Sequence, residues 1–476
     1  MASALFYFCL VFSALGGAPP SEVPPAEIYE SQRSTRVLRG LGFEVEAQSE
    51  GKTIDFIRIV ATEVFAEDEP YPLFFNAMRI RTREDVIERE LLFSEGDSYR
   101  ESLLLESTRN LRGMDIFSLV KLIPVRSEKP GHVGVVVFTR DLWSLRLEQA
   151  FQLTGSQVDQ LTVQLTERNL LGRGKLAAVN FHLFPMTFSV GQLYSDRRVW
   201  GSQLSFFESI RFIYNRESGA LEGNVGQLWF GKPIYSLGQR WSYGLSLAAD
   251  RHVARQTQTG RVLSYDIPET LEEEEIPRTW NYRGIGASAS VTRQYGVDWK
   301  QRLSAGVGAA WTENKPNDDT VLSVSQQSAF ERDVLPEDSR AVYPSLSYSF
   351  FKPSYYSFQN LSTFGKTEDV RVGPAFRASL RLPSRALGSR RDSAHFGASA
   401  GYVYAQSSTL AQLSGSGSGE LRDGAVINRV WSGLVRGATP HFLGFRFAAR
   451  LGWTLRQSFD ENVLISIGGN NGLRGY

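Results

Sequence analysis

Phe445–Arg456 reads FRFAARLGWTLR. Its odd positions are Phe445, Phe447, Ala449, Leu451, Trp453 and Leu455, and its even positions include Arg446, Arg450 and Arg456. Successive side chains of a strand point to opposite faces, so this stretch is a strand with one apolar and one charged face. Val372–Leu382 repeats the pattern, with Val372, Pro374, Phe376, Ala378, Leu380 and Leu382 set against Arg371, Arg377 and Arg381. Trp241–Asp250 and Leu161–Thr166 behave the same way. A soluble sandwich also alternates, but rarely over runs this long, so many times, with arginine recurring on the polar face. A tilted strand needs about ten residues to cross a bilayer. The pattern predicts an antiparallel transmembrane β-barrel over residues 143–476.

Composition agrees with that expectation. A net charge of +1 gives no bulk field for nucleic acid. A mean hydropathy of −0.23 excludes a helical-bundle membrane protein but not a barrel, whose strands average apolar with polar residues. The 43 glycines suit tight turns, and the 12% aromatic content suits interfacial girdles. Ala4–Phe12 is a short apolar run followed by Gly16-Gly17-Ala18, which reads as a secretory signal over residues 1–18, although no Lys or Arg precedes it. Cys9, the only cysteine, lies inside this run without the Leu-x-Gly-Cys context of a lipoprotein, so disulfide and thiolate chemistry are excluded from the mature chain. Residues 19–52 are rich in proline, serine and charge and read as a flexible leader.

Residues 53–142 read as one α+β domain. Phe56, Arg58 and Val60 alternate with Ile57, Ile59 and Ala61 in a first strand. Thr82 and Asp85 form a capping box for a helix carrying Val86, Ile87 and Leu91. Gly96-Asp97 breaks the chain, Ser98 and Glu101 form a second capping box, and Leu104 and Leu111 continue one helical face up to Gly113. Strands Phe117–Val125 and Val133–Phe138 follow, joined at Pro130-Gly131, so the order is β-α-α-β-β.

That order resembles a POTRA domain, with Gly96-Asp97 between the helices, Leu111 near the second helix end, and Phe117 and Val120 entering the second strand. Asn169-Leu170-Leu171-Gly172-x-Gly174 resembles the opening hairpin of outer-membrane assembly barrels of the BamA/TamA type. Gly468-Gly469 followed by Leu473-Arg474-Gly475-Tyr476 resembles the same family's loop-six motif, which folds back into the barrel lumen. The resemblance implies a POTRA domain in the periplasm and a surface-antigen-type barrel of sixteen strands in the outer membrane of a Gram-negative bacterium. It implies protein insertion or export: unfolded outer-membrane or secreted β-rich client chains add to the POTRA edge strand, nominated as Phe117–Val125, and the seam between first and last barrel strands templates them. The implied partners are those clients, the lipid bilayer, and periplasmic chaperones or accessory lipoproteins. No cofactor is implied, and no catalytic or metal residues. An acidic partner for Arg474 is expected on strands after the motif. Two other readings stay open: a two-partner secretion translocator for a dedicated exoprotein, and a passive porin or outer-membrane hydrolase.

Strand signals begin near residues 157, 175, 201, 219, 238, 281, 299, 342, 369, 395, 425 and 441. The gaps at 252–279 and 407–424 are expected on the cell surface, because such barrels have short inner turns and long outer loops. With the small domain on the inner side, an odd number of strands must precede the loop-six motif. Tyr343–Phe351, the weakest signal, is therefore expected to extend a neighbour or lie in an outer loop. That leaves about eleven strands and places the motif in the sixth outer loop. With about five of sixteen strands missing, the chain is expected to be a fragment or to need a partner to close. The histidines His132, His182, His252, His395 and His441 have no metal-ligand spacing, and Glu272–Glu275 reads as a solvated loop tip.

Overall fold

The computed structural model describes residues 3–14, 38, 40–62, 80–154, 157–258, 261–268, 274–317, 322–361, 366–440 and 445–459. The loop-six residues Gly468, Gly469, Leu473, Arg474, Gly475 and Tyr476 lie outside the described residues. The backbone of Ser3–Ala14, the run expected to be a secretory signal, forms β1. It pairs antiparallel with the last strand, Ser3 opposite Arg456 and Ala14 opposite Phe445.

The small domain comprises β2 (Thr53–Thr62), α1 (Glu84–Glu88), α2 (Glu101–Arg112), β3 (Phe117–Arg126) and β4 (His132–Asp141). Its sheet order is β2-β4-β3, with β4 parallel to β2 and antiparallel to β3. β4 is central, and its run of valines is buried, as a strand covered on both faces requires. Leu111, Phe117 and Val120 join Ile54, Ile87 and Val133 in one core, all at most 1% exposed. Neither expected capping box forms: the helices begin after Arg83 and Arg100, with no side-chain cap. Thr82 instead bonds Asp141, and Ser98 pairs across to Thr53. Gly96, at φ +87°, donates to the Ile54 carbonyl while Asp97 accepts from the Ile54 N–H, so this turn covers the start of β2. Leu38 is 3% exposed and lies with Phe43 against Ile123, Val125 and Val136.

The rest is one antiparallel sheet. Its strands are β5 (Leu145–Thr154), β6 (Gln157–Glu167), β7 (Leu176–Leu183), β8 (Thr187–Asp196), β9 (Ser205–Asn215), β10 (Leu221–Lys232) and β11 (Trp241–Arg255). The short pairs β12 (Thr257–Gln258) with β13 (Arg261–Val262) and β14 (Ser264–Tyr265) with β15 (Ile276–Pro277) decorate the next loop. Then come β16 (Thr279–Tyr295), β17 (Lys300–Pro316), helix α3 (Val324–Asp333), β18 (Ser339–Phe351), β19 (Ser354–Gln359) and β20 (Thr367–Arg381). β21 (Ala394–Gln406), β22 (Thr409–Arg422), β23 (Ala425–Ala438) and β24 (Phe445–Gln457) complete it. Each strand pairs with the next in sequence. β18 and β19 keep a single register against β20, Phe351 opposite Ala375 and Ser354 opposite Val372, and so form one long strand. With β1, the sheet has sixteen positions, consistent with a β-barrel.

Exposure alternates along the strands, as a barrel wall requires. On β16 the exposed row is Arg283, Ile285, Ala287, Ala289, Val291 and Arg293. Arg283 lies over the Trp311 ring and Arg293 over the Trp241 ring, each 5.2 Å from the centroid. Two cation–aromatic pairs thus bracket four apolar positions. Ten residues at about 3.3 Å and a tilt of about 45° give a band roughly 23 Å tall.

The strand count corrects the sequence expectation. Leaving out β1, the large sheet has fifteen strands among the described residues, seven from β5 to β11 and eight from β16 to β24 with β18 and β19 as one, rather than about eleven. Tyr343–Phe351 lies within a strand paired along its length with β17 and, over Ser345–Phe351, with β20. The expected outer loop 407–424 is mostly β22, whose Ser/Gly run hid its alternation. β5 and β8 were also unrecognised. The parity argument survives with an odd count, and the loop-six residues themselves lie outside the described residues. By the same parity 252–279 is on the side opposite the small domain, called here the far end.

At the far end, loops 256–278 and 317–338 share an apolar core. Tyr265, Ile267, Ile276 and Trp280 pack on Ala329, Phe330, Val334 and Leu335. Glu274 belongs to this unit, accepting from the Ile267 N–H of its own loop and from Gln326 of the other. Glu272 and Glu273 lie outside the described residues.

Candidate functional site

The turns at the near end grip the small domain. Between β6 and β7 the chain must reverse tightly, and Gly172 (φ +71°) and Gly174 (φ +64°) supply left-handed positions. Asn169, 3% exposed, organises the turn. Its Oδ1 accepts from the Gly174 N–H at 2.8 Å, and its Nδ2 donates to Thr82 Oγ1 at 2.8 Å. Thr82 in turn donates from N–H and hydroxyl to the two oxygens of Asp141, both at 3.0 Å. The Gly172 carbonyl accepts from the Arg83 N–H at 3.0 Å. A Cβ on Gly172 would run into the Arg81 carbonyl, and one on Gly174 into Met114. The hairpin motif is therefore a docking turn: it lets the 80–83 segment pass against the barrel rim.

The next near-end turn, between β8 and β9, has the same construction without sharing the motif. Leu171 and Trp200 both have positive φ, 55° and 52°, and each is followed by a glycine, Gly172 or Gly201. Asn169 N–H donates to Glu167, and Arg198 N–H donates to Asp196. This second turn holds the domain by charge. Arg198 makes a two-pronged contact with Glu90, Nε to Oε1 at 2.7 Å and Nη2 to Oε2 at 2.8 Å. Glu90 is 2% exposed. Arg197 donates to the Gly113 carbonyl at 2.7 Å.

Two more elements complete the ring. The Leu237 N–H in the β10–β11 turn donates to Glu106 of α2. Burial pushes the Glu106 carboxyl above its ordinary range, with this bond opposing it. On the extended β19–β20 hairpin, Asp369 accepts from Arg112 Nη1 at 3.0 Å, Lys366 pairs with Asp115, and Tyr355 carries Arg109 at 4.4 Å over its ring. The helices α1 and α2 thus face the barrel turns. Only the Asn169–Gly174 part of this ring was marked by a sequence motif; the arginines and acids came from ordinary charged stretches.

β3 is an edge of the small sheet. Its outward backbone groups at Pro124 and Arg126 are taken by the leader: Glu46 N–H donates to Pro124 O at 3.0 Å, and Arg126 N–H to Glu44 O at 2.8 Å. Val45 bridges Val125 antiparallel. By the strand's period of two, the backbone groups of Val120 and Leu122 also point away from β4, and a bulge between Phe117 and Leu119 ends that period at Ser118. Arg112 Nη2 reaches the Val120 carbonyl at 3.3 Å. The nominated edge Phe117–Val125 is therefore half covered, and among the described residues no strand pairs with its outward side from Val120 to Leu122.

No family model and no curated protein matches the chain. In fold it is similar to BamA from Haemophilus ducreyi lacking POTRA domains 1-3, with 11% identity over 90% of this chain and 93% of that one and a TM-score of 0.33. It is similar to CdiB from Acinetobacter baumannii, with 11% identity over 87% and 77% and a TM-score of 0.30. It is also similar to OccK9 from Pseudomonas aeruginosa, with 11% identity over 66% and 95% and a TM-score of 0.26. The architecture rests on the strand pairing.

Proposed function

We propose that this chain is a BamA/TamA-type outer-membrane barrel that receives extended β-rich client chains on a POTRA domain and inserts or exports them. The observation that carries the reading is an edge strand unpaired over Val120–Leu122 among the described residues, on a β-α-α-β-β domain held by four near-end elements of a large antiparallel barrel wall. An extended client can continue the β2-β4-β3 sheet there, its backbone bonds giving affinity without sequence preference. The 23 Å outward band supports an outer-membrane location, with the small domain on the periplasmic side. No reaction chemistry is required, and the reading is of a non-enzyme without cofactor.

Leu122→Pro tests it. Proline removes one outward N–H, and Pro124 already occupies the next outward position of this strand. The measurement is insertion of an outer-membrane client barrel into liposomes containing the full-length protein, with folding followed by heat-shifted gel mobility. Leu122→Pro should stay folded and slow insertion several-fold; an unchanged rate would remove the edge from the mechanism.

A further inference from the structure

The outward face of β20–β24 carries a groove of about 1040 Å³. Phe396, Tyr402, Leu413, Trp431, Val435 and Trp453 stand around it, each at least 39% exposed. Its floor is glycine. A Cβ on Gly417 would strike the Trp431 ring, and one on Gly433 would strike the Trp453 indole, so these two glycines let the indoles lie flat on the neighbouring strand. Gly415 is left bare: a Cβ there would meet only the Ser432 carbonyl, at 3.8 Å. Trp453 lies toward the far end of its strand, where interfacial girdles sit, and Trp431 lies at the middle of its own.

Arg429 lines the same groove one outward position beyond Trp431, on the far-end side. Its Nη2 donates to Ser458 Oγ at 2.8 Å, and its Nε is buried without a partner. No carboxylate pairs with it among the described residues. From Arg429 to Val435 the strand spans roughly 20 Å. At a tilt of about 45° that is a depth of roughly 14 Å, about one leaflet's share of the hydrocarbon core. A cation at headgroup level above an apolar trough one leaflet deep fits a single kind of occupant.

We infer that this groove binds an anionic, phosphate-bearing lipid of the far leaflet, with one acyl chain over Gly415, Gly417 and Gly433 and the phosphate on the Arg429 guanidinium. The inference rests on the membrane-barrel reading. It fails separately from that reading, because the test below is scored only on protein that has inserted as a heat-shifted barrel.

The full-length protein is reconstituted in phosphatidylcholine vesicles containing graded amounts of brominated-acyl phosphatidic acid or brominated-acyl phosphatidylcholine. Bromine quenches tryptophan on contact, and the difference between wild type and Trp431→Phe isolates the groove. The expected result is saturable quenching by the phosphatidic acid at roughly tenfold lower mole fraction than by the phosphatidylcholine. Arg429→Gln should bring the two curves together, and Gly415→Phe, which fills the trough, should abolish the saturable part. Quenching that rises linearly and equally for both lipids in wild type would overturn the inference. So would a Gly415→Phe curve like wild type, or a groove found cross-linked to a second copy of the chain. If Arg429→Gln fails to insert, the two-lipid comparison and Gly415→Phe decide the matter.

Discussion

The two ends of the barrel are held by opposite chemistry. At the far end two loops bury Phe330, Trp280 and Ile267 against each other, and the unit is held by apolar packing. At the near end the small domain is fixed by oriented polar contacts, Arg198 on Glu90, Arg112 on Asp369 and Asn169 on Thr82. Apolar packing is non-directional and tolerates sliding. Two-pronged guanidinium–carboxylate contacts fix angle as well as distance. The far end is built to stay shut as a unit, and the near end to hold the domain in one orientation.

The largest expected effect comes from breaking the near end at its most buried charge. Glu90→Ala strands Arg198, and losing one partner of a buried pair costs about 3–5 kcal/mol. Hydrogen exchange should rise across residues 197–204 and 80–90 while residues 256–278 stay protected; equal protection everywhere would show that docking does not depend on this pair. The mirror experiment is Phe330→Ala, expected to cost about 3–4 kcal/mol through lost burial and a cavity. Protease should then cut within 256–278 or 317–338, with the near-end turns unaffected. Cleavage at both ends would mean the two ends are one cooperative unit.

A smaller effect is expected at Asn169→Ala, which leaves the Gly174 N–H and the Thr82 hydroxyl short of a partner, at about 1–3 kcal/mol. The domain should loosen without leaving, seen as faster exchange at Gly174 than at Gly201. The smallest effect is a pH dependence. The Glu106 carboxyl is raised in the folded protein, so folding favours its protonated form. Docking is then strongest below the ordinary carboxyl value and weakens as pH rises through the raised value. Glu106→Gln keeps an acceptor for the Leu237 N–H and should flatten that slope. A slope unchanged in Glu106→Gln would assign it to another group.

This contrast between ends was only partly legible in the sequence. Barrel strands with a bulky outward row, such as Phe445–Arg456 and Val372–Leu382, announced themselves through alternation. β22 did not, because its outward row is Ala411, Leu413, Gly415, Gly417 and Gly419, and the bulk covering it comes from Trp431 and Phe396 on neighbouring strands. Burial supplied by a neighbour leaves no trace in a strand's own period. The small domain was legible because each element carries its own share of the core, Leu111 on the helix and Phe117 and Val120 on the strand. Its caps were not legible: Thr82 is taken up by Asp141 and Asn169, a tertiary bond that no local spacing encodes. The motif at Asn169, Gly172 and Gly174 could be seen but not its purpose, and the matching turn at Trp200-Gly201 has a different sequence with the same backbone.

The leader's hold on β3 has one more implication. Glu44 and Glu46 occupy the strand's last outward positions, so a peptide added along Val120–Leu122, as proposed, would abut a fixed stop. Strand pairing alone lets a guest slide, and a slip of one residue turns every side chain to the opposite face. A stop at one end removes that freedom. On the proposed function it would make the edge a gauge that meters where a guest begins, so successive guests, whatever their sequences, would present the same phase of in-and-out side chains to the barrel wall.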